Sequence, residues 1–299
     1  MYSFNNNINN QSFIKKTQKI NKIIDNKKNK ACLNCGNFFH IVKNCPYPNT
    51  SYGTICYKIC NKQIKYVMVK RKHSYNFLAF MKGTYDLHNY EEIIKMFSYM
   101  SYTEKNMIRY STFDELWQFT WEPFLYIKNN LHKIKNNIYN KYIQLITGYE
   151  ILYKELVIFF NLNYILQNCY YHYPDNEWEF PKGKKHNKIT ESDFECSVRE
   201  LKEETKILST DFKNIHSSQI NENFYGTDNK KYKNKYYIIE LKDNAMYYLD
   251  PFDMFQNAEI SDIKFFTYYE IIANLRDYCF YKKKLIKDLD KELKAIHNL

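Results

Sequence analysis

Glycine and proline are both scarce, at 6 each in 299 residues, and no stretch approaches the run of about 20 apolar residues that a membrane-spanning helix needs. The opening Met1-Tyr2-Ser3-Phe4-Asn5-Asn6-Asn7 lacks a charged n-region leading into an apolar h-region, so no secretory signal is expected. A soluble intracellular protein with no membrane partner is the expectation. The shortage of glycine, set beside 30 tyrosines and abundant Asn, Lys and Ile, reads as codon pressure from an AT-rich genome. It therefore says little about function. Eight cysteines in a cytosolic chain are not expected to form a disulfide framework. Cys56, Cys60, Cys169, Cys196 and Cys279 are scattered and read as small core residues. The other three cluster with a histidine. A hydrophobic fraction of 44% is enough for a packed core, and the formal charge of +11 favours polyanionic partners such as RNA, DNA or phosphorylated small molecules.

Along the chain, 1–31 carries seven lysines against Asp25 and reads as a basic disordered arm. A compact Cys/His unit spans 32–46. Two runs rich in β-branched and aromatic residues, 52–59 and 64–69, flank Asn61-Lys62-Gln63 and predict a hairpin. From about 90 to 171 the apolar residues recur at helical spacing, including those between Ile134 and Leu166. Strand character returns at 177–180, 236–241 and 260–266, and the last residues from 269 look helical. A β-rich domain interrupted by a helical block is the simplest organisation: 50–86 as its first part, 87–171 as the insertion, 172–299 as its second part.

Between 181 and 207 the sequence reads Pro181-Lys182-Gly183, then Glu191, then Arg199-Glu200-Leu201-Lys202-Glu203-Glu204-Thr205-Lys206-Ile207. Glu200, Glu203 and Glu204 stand at i, i+3 and i+4, so a helix would put all three carboxylates on one face. Such a cluster repels itself until divalent cations sit on it, and hard Mg²⁺ or Mn²⁺ prefers carboxylate oxygens. A solvated acidic helix is the bland alternative. Arg199, the upstream Glu191 and the strand–loop–helix context all favour the catalytic reading.

This pattern resembles the Nudix signature, a Gly, a Glu, then Arg-Glu-apolar-X-Glu-Glu-X-Gly-apolar. Two positions depart from it. The loop 184–190 is longer than the common form, and Lys206 stands where the signature ends in Gly. A non-Gly residue in a left-handed helix cap costs about 1 kcal/mol, so the departure bears on how the helix ends rather than on the carboxylates. The resemblance implies an α+β protein with the Nudix α/β/α fold, an inserted all-helical domain and an N-terminal CCHC zinc knuckle. It also implies a metal-dependent pyrophosphate hydrolase. Glu200, Glu203 and Glu204 would be the catalytic and metal-binding residues, with Glu204 the candidate for activating water. Gly183 would offer its carbonyl to the Mg²⁺ or Mn²⁺, Arg199 and Glu191 would form an orienting ion pair, and Glu259 would have a metal or structural role.

Within that family, Gly183-Lys184, Glu191-Ser192, Cys196 and Arg199-Glu200 look like the mRNA-decapping branch. Lys70-Arg71-Lys72-His73-Ser74, Phe77, Phe80, Gly83 and Tyr85, with Ile94-Lys95-Met96-Phe97, Met107 and Phe113-Asp114-Glu115-Leu116-Trp117, resemble the decapping enzymes of large cytoplasmic DNA viruses of the African swine fever virus and mimivirus type. The likeness covers roughly 50 to 275. It implies capped mRNA as partner, m7GDP and 5′-monophosphate RNA as products, and a site of action in the host cytoplasm or virus factory. No protein partner is inferred.

Cys32-X₂-Cys35-X₄-His40-X₄-Cys45 has the spacing of a retroviral-type zinc knuckle, and three thiolates with one imidazole complete a closed tetrahedral structural Zn²⁺ site. Phe38 or Phe39 would stack on unpaired bases. For the cationic cap, Trp117, Trp121, Phe224, Tyr225 and Tyr232 are candidate aromatic partners, and the Lys-rich helical block is expected to line the RNA path. A diphosphoinositol polyphosphate or nucleotide pyrophosphatase, and a non-catalytic RNA-binding Nudix module, are the alternative readings.

Overall fold

The computed structural model describes residues 31, 32, 34–125, 131–153, 155–226 and 230–299. The basic segment 1–31, expected as a disordered arm, lies outside the described residues apart from Ala31.

The first two strand-like runs fold as read. β1 (Asn49–Cys60) returns as β2 (Gln63–Arg71) through Asn61 and Lys62, whose φ values of 49° and 60° are the pair a tight two-residue hairpin turn requires. β8 (Lys231–Leu241) lies parallel to β1 on its other side, and β7 (Phe212–Tyr225) is antiparallel to β8 at the edge. β9 (Ile260–Thr267) and the short β5 (Trp178–Glu179) pair with β2, while β6 (Lys182–Gly183) pairs with β1.

Alternation along the central strands divides the core between two faces. Ile55 and Tyr57 of β1, Tyr66 and Met68 of β2, and Tyr236 and Ile238 of β8 meet the two helices that follow α8 (Met254–Glu259), namely α9 (Tyr268–Asn274) and α10 (Phe280–His297), through Ile271, Leu285, Ile286, Leu289 and Leu293. Cys56, Val67, Val69, Ile239 and Leu241 face the opposite way, under Leu201 of α7 (Asp193–Thr205) and the following Ile207. Strands covered on both faces read as nearly continuous apolar runs, and β1 and β2 do so.

Between β2 and β5 the chain makes α1 (Tyr75–Met81), α2 (Tyr90–Ser98), α3 (Tyr102–Tyr110), α4 (Phe113–Leu125), α5 (Leu131–Thr147) and α6 (Leu162–Gln167). These helices close around their own core, with Phe77, Phe80, Phe97, Met100, Leu116 and Trp117 at its centre. The stretch from Ile134 to Leu166 is helical only at its ends. Between them β3 (Tyr149–Tyr153) and β4 (Leu156–Phe160) pair as a hairpin. Gly148 ends α5 at φ +82°, and a Cβ there would lie 2.6 Å from the Phe159 ring. Trp117 and Trp121 are buried in this helical core, which removes them as partners for a cap. Among the described residues no helix is long and apolar enough to cross a membrane.

Candidate active site

Helix α7, which carries the acidic end of the 183–207 signature (the box), starts with a reciprocal cap: the Ser192 hydroxyl accepts from Glu195 N at 3.1 Å, and the Glu195 carboxylate accepts from Ser192 N at 2.8 Å. It ends at Lys206, which takes the left-handed conformation (φ 66°, ψ 3°) that the signature normally gives to glycine. The Lys206 ammonium pairs with Asp253. In between, Glu200 and Glu204 point inward and are buried, whereas the Glu203 side chain is half-exposed.

Gly183 faces this acidic surface from β6. A Cβ built there would stand 2.0 Å from Glu200 Cδ and 2.1 and 2.2 Å from its two oxygens. The Glu200 carboxylate thus occupies the volume that the missing side chain leaves. Cys196 Sγ lies 4.0 Å from the Gly183 carbonyl oxygen, so the helix also meets the strand on that side.

Arg199 organises the exposed half of the site. Its Nε donates to Glu191 Oε1 at 2.8 Å, one terminal nitrogen donates to Glu200 Oε1 at 2.8 Å and Glu203 Oε2 at 2.9 Å, and the other donates to the Lys184 carbonyl at 2.9 Å. The anticipated Arg199–Glu191 pair is therefore present, and the same guanidinium bridges two box carboxylates. Burial pushes the Glu200 carboxyl up to about 7; Glu203 and Glu259 add to the rise and Arg199 opposes it. Glu204 is raised well above the ordinary range by burial, then by the charges of Glu179, Glu200 and Glu259, against Lys182. Glu259 is thereby placed electrostatically beside both buried glutamates, and its carbonyl accepts from Lys72 N at 2.7 Å.

The sequence did not point to the groups that hold this site from behind. Gln256 donates to the Glu204 carbonyl at 3.0 Å, and Lys182 N donates to Glu204 Oε2 at 3.2 Å. Beneath them Glu179 accepts from Arg71 at 2.8 Å, from the Tyr75 hydroxyl at 2.8 Å and from the Lys182 ammonium. Burial alone would raise the Glu179 pKa, but Lys182 and Arg71 outweigh it and hold the carboxyl well below the usual range.

The donor set suits a divalent cation. Glu200, Glu203, Glu204 and the Gly183 carbonyl offer only oxygens, the preference of Mg²⁺ and Mn²⁺. Glu204 is a buried carboxylate with no side-chain ion pair among the described residues, a situation that a bound cation relieves. The three box carboxylates do not themselves converge into a tight cluster. Among the described residues only the Cys/His set brings three or more such ligand atoms within 4.8 Å of one another.

No family model matches the chain. It is 27% identical over 258 residues to a protein of Acanthamoeba polyphaga mimivirus with a provisional mRNA-decapping name, covering 81% of this chain and 68% of that one. It is 27% identical over 212 residues to mRNA-decapping protein g5R of African swine fever virus (isolate Pig/Kenya/KEN-50/1950), covering 64% of this chain and 73% of that one. Over these spans the chain is similar to viral proteins with mRNA-decapping names. Solved structures that match it include a C. elegans Ap4A hydrolase binary complex (TM-score 0.41, 11% identity, 82% of this chain and 98% of that one). Another is the NUDIX domain of Shewanella oneidensis NrtR complexed with ADP ribose (TM-score 0.38, 9% identity, 84% and 93%).

A second site lies just before the start of β1, the end at which Tyr52 pairs with Gly183. Cys32, Cys35, His40 and Cys45 offer ligand atoms that all lie within 4.8 Å of one another, with Cys35 Sγ 3.2 Å from His40 Nε2. Asn34 donates to Cys45 Sγ at 3.2 Å, the type of outer contact that orients a thiolate. Three sulfurs and one imidazole fit tetrahedral zinc. Gly36 turns the loop at φ +79°, and Phe39, 90% exposed, projects from it beside half-exposed Phe38. Of the remaining cap candidates, Phe224 and Tyr232 stack on each other across β7 and β8 with centroids 5.5 Å apart, and Tyr225 is exposed.

Proposed function

We propose that this chain is a Nudix hydrolase that removes the m7G cap from mRNA, cutting the triphosphate bridge to release m7GDP and leave 5′-monophosphate RNA. The relatives carry mRNA-decapping names, and one observation favours RNA over a free nucleotide. The Cys/His knuckle sits against the box loop, with the Cβ position of Gly36 only 3.5 Å from Lys188 Cβ. A small phosphorylated substrate has no use for such a module, whereas zinc knuckles present aromatics to unpaired bases.

Glu200, Glu203 and the Gly183 carbonyl would hold the divalent cation together with Glu204. When bound, that cation neutralises the diphosphate bridge and makes an attacking water more acidic. Glu204 would take the water's proton, directly or through the cation; it is buried beside Gly183, and Lys182 N donates to one of its oxygens. Arg199 keeps Glu191, Glu200 and Glu203 in register. Glu259 adds negative charge beside the same cation site. Zinc at Cys32, Cys35, His40 and Cys45 is structural, and the site of action is the cytoplasm.

Cap-labelled RNA incubated with Mg²⁺ or Mn²⁺, alongside a diphosphoinositol polyphosphate and a nucleotide diphosphate derivative, tests this reading. Release of labelled m7GDP at a rate exceeding turnover of the other two supports it. Turnover of the small substrates alone transfers the activity to a pyrophosphatase, and no turnover of any leaves a binding module.

A further inference from the structure

Three lysines converge on one aromatic ring beside the catalytic strand. The ammonium nitrogens of Lys185, Lys188 and Lys235 lie 4.9, 5.3 and 5.6 Å from the centre of the Tyr52 ring. Tyr52 is the residue on β1 that pairs directly with Gly183. Asp193 engages two of the three, Lys185 at 2.6 Å and Lys235 at 2.9 Å. Lys188 is left over: its nitrogen is sealed from solvent and has no hydrogen-bond partner among the described residues.

A buried ammonium with its donors unspent is costly, and native proteins rarely leave one so. The phenol of Tyr52 does not neutralise it, since burial and Asp193 push its pKa up to about 12. Three lysines against one aspartate leave a net positive cluster around the Tyr52 ring. The knuckle borders this cluster, with its Gly36 abutting Lys188. Asn34 fixes the knuckle to the start of β1, donating to the Tyr47 and Pro48 carbonyls at 3.1 and 2.9 Å and accepting from Thr50 N at 3.2 Å. The loop 184–190, which runs on to Glu191 and Arg199, supplies Lys185 and Lys188.

We propose that Lys188, with Lys185 and Lys235, is a phosphodiester clamp that grips the RNA backbone between the knuckle and the catalytic loop. The clamp rests on the RNA reading above and adds to it the place where the body of the substrate is held. A base stacked on the knuckle and a phosphate on Lys188 would be parts of one strand leading toward Gly183 and the acidic helix. Phosphate could also come from the cap's own triphosphate, and the two sources separate experimentally.

Fluorescence anisotropy of a 5′-hydroxyl, uncapped RNA, and separately of a cap dinucleotide, is measured across a salt series for wild type, Lys188→Gln and Lys188→Arg. Thermal melts verify that each variant is folded. The clamp predicts that Lys188→Gln weakens uncapped RNA severalfold and lowers the log–log salt slope by about 0.7, the value for one lost single-strand phosphate contact. Lys188→Arg should restore most of the affinity. Uncapped-RNA affinity and slope unchanged in Lys188→Gln, or a loss confined to the cap dinucleotide, overturns the clamp. Wild-type m7GDP release is recorded in parallel. Absent release with Lys188-dependent RNA binding defeats decapping and leaves the clamp standing, whereas release with Lys188-independent binding does the reverse.

Discussion

A Gly183→Ala substitution would place a methyl group in the volume that the Glu200 carboxylate fills, with Cβ 2.0 Å from Glu200 Cδ. Carbon contacts relax only at about 3.5–4.0 Å, so the carboxylate must retreat by roughly 1.5 Å or more. The backbone itself is no obstacle, because Gly183 is not among the left-handed glycines Gly36, Gly83 and Gly148. The cost should therefore appear in catalysis more than in folding. Misplacing a catalytic group by about 1 Å can lower a rate about 10²-fold, equivalent to about 2.7 kcal/mol of activation free energy. Single-turnover cleavage of capped RNA at saturating Mg²⁺ gives the rate, and a thermal melt establishes that the variant is folded. Adding Glu200→Asp, one methylene shorter, should recover part of the loss in the Gly183→Ala background. A folded Gly183→Ala enzyme cleaving within about threefold of wild type (under 1 kcal/mol) would refute the argument that Gly183 is there to admit Glu200.

Two further outcomes are expected. Glu222 accepts from Lys282 at 3.1 Å and Asn234 at 2.8 Å, both buried, and Lys282 and Asn234 outweigh burial to hold its pKa down. Glu222→Gln leaves Lys282 uncompensated and should cost roughly 3–5 kcal/mol at pH 7 in urea melts. Because the folded pKa is depressed, that stabilisation is present above the unfolded value of about 4.3 and fades as pH falls through the lower folded one. The wild type should approach the variant there, and a variant within about 1 kcal/mol of wild type at pH 7 contradicts the pairing. For the knuckle, the wild type should carry stoichiometric zinc that Cys32→Ser plus Cys35→Ser abolishes, with weaker binding of uncapped RNA. Metal-free wild type, or unchanged RNA affinity in the double variant, would contradict the zinc assignment.

The acidic face was legible because Glu200, Glu203 and Glu204 and their Arg199 lie within one helix, where spacing alone sets which side chains share a side. The β1–β2 hairpin and the Cys/His unit were legible for the same local reason. Strand β7 was not: of its residues only Glu222 is buried, so no hydrophobic alternation marks it, and pairing with β8 makes it a strand. The β3–β4 hairpin was hidden because the run Leu156–Phe160 is continuously apolar, and periodicity cannot separate such a run from a helix. Glu179 meets Arg71 and Tyr75 across more than one hundred positions of sequence, and Gly36 meets Lys188 across a similar span. Neither contact leaves a local trace.

The central claim is that the buried acidic face of the box helix cleaves the RNA cap, and single-turnover release of labelled m7GDP by wild type and Glu204→Gln tests it most directly. Glutamine keeps the shape and the bond from Lys182 N but cannot take a proton, so the account predicts m7GDP from the wild type and a fall of about 10²-fold or more in the variant. Equal release by the folded variant would contradict the account.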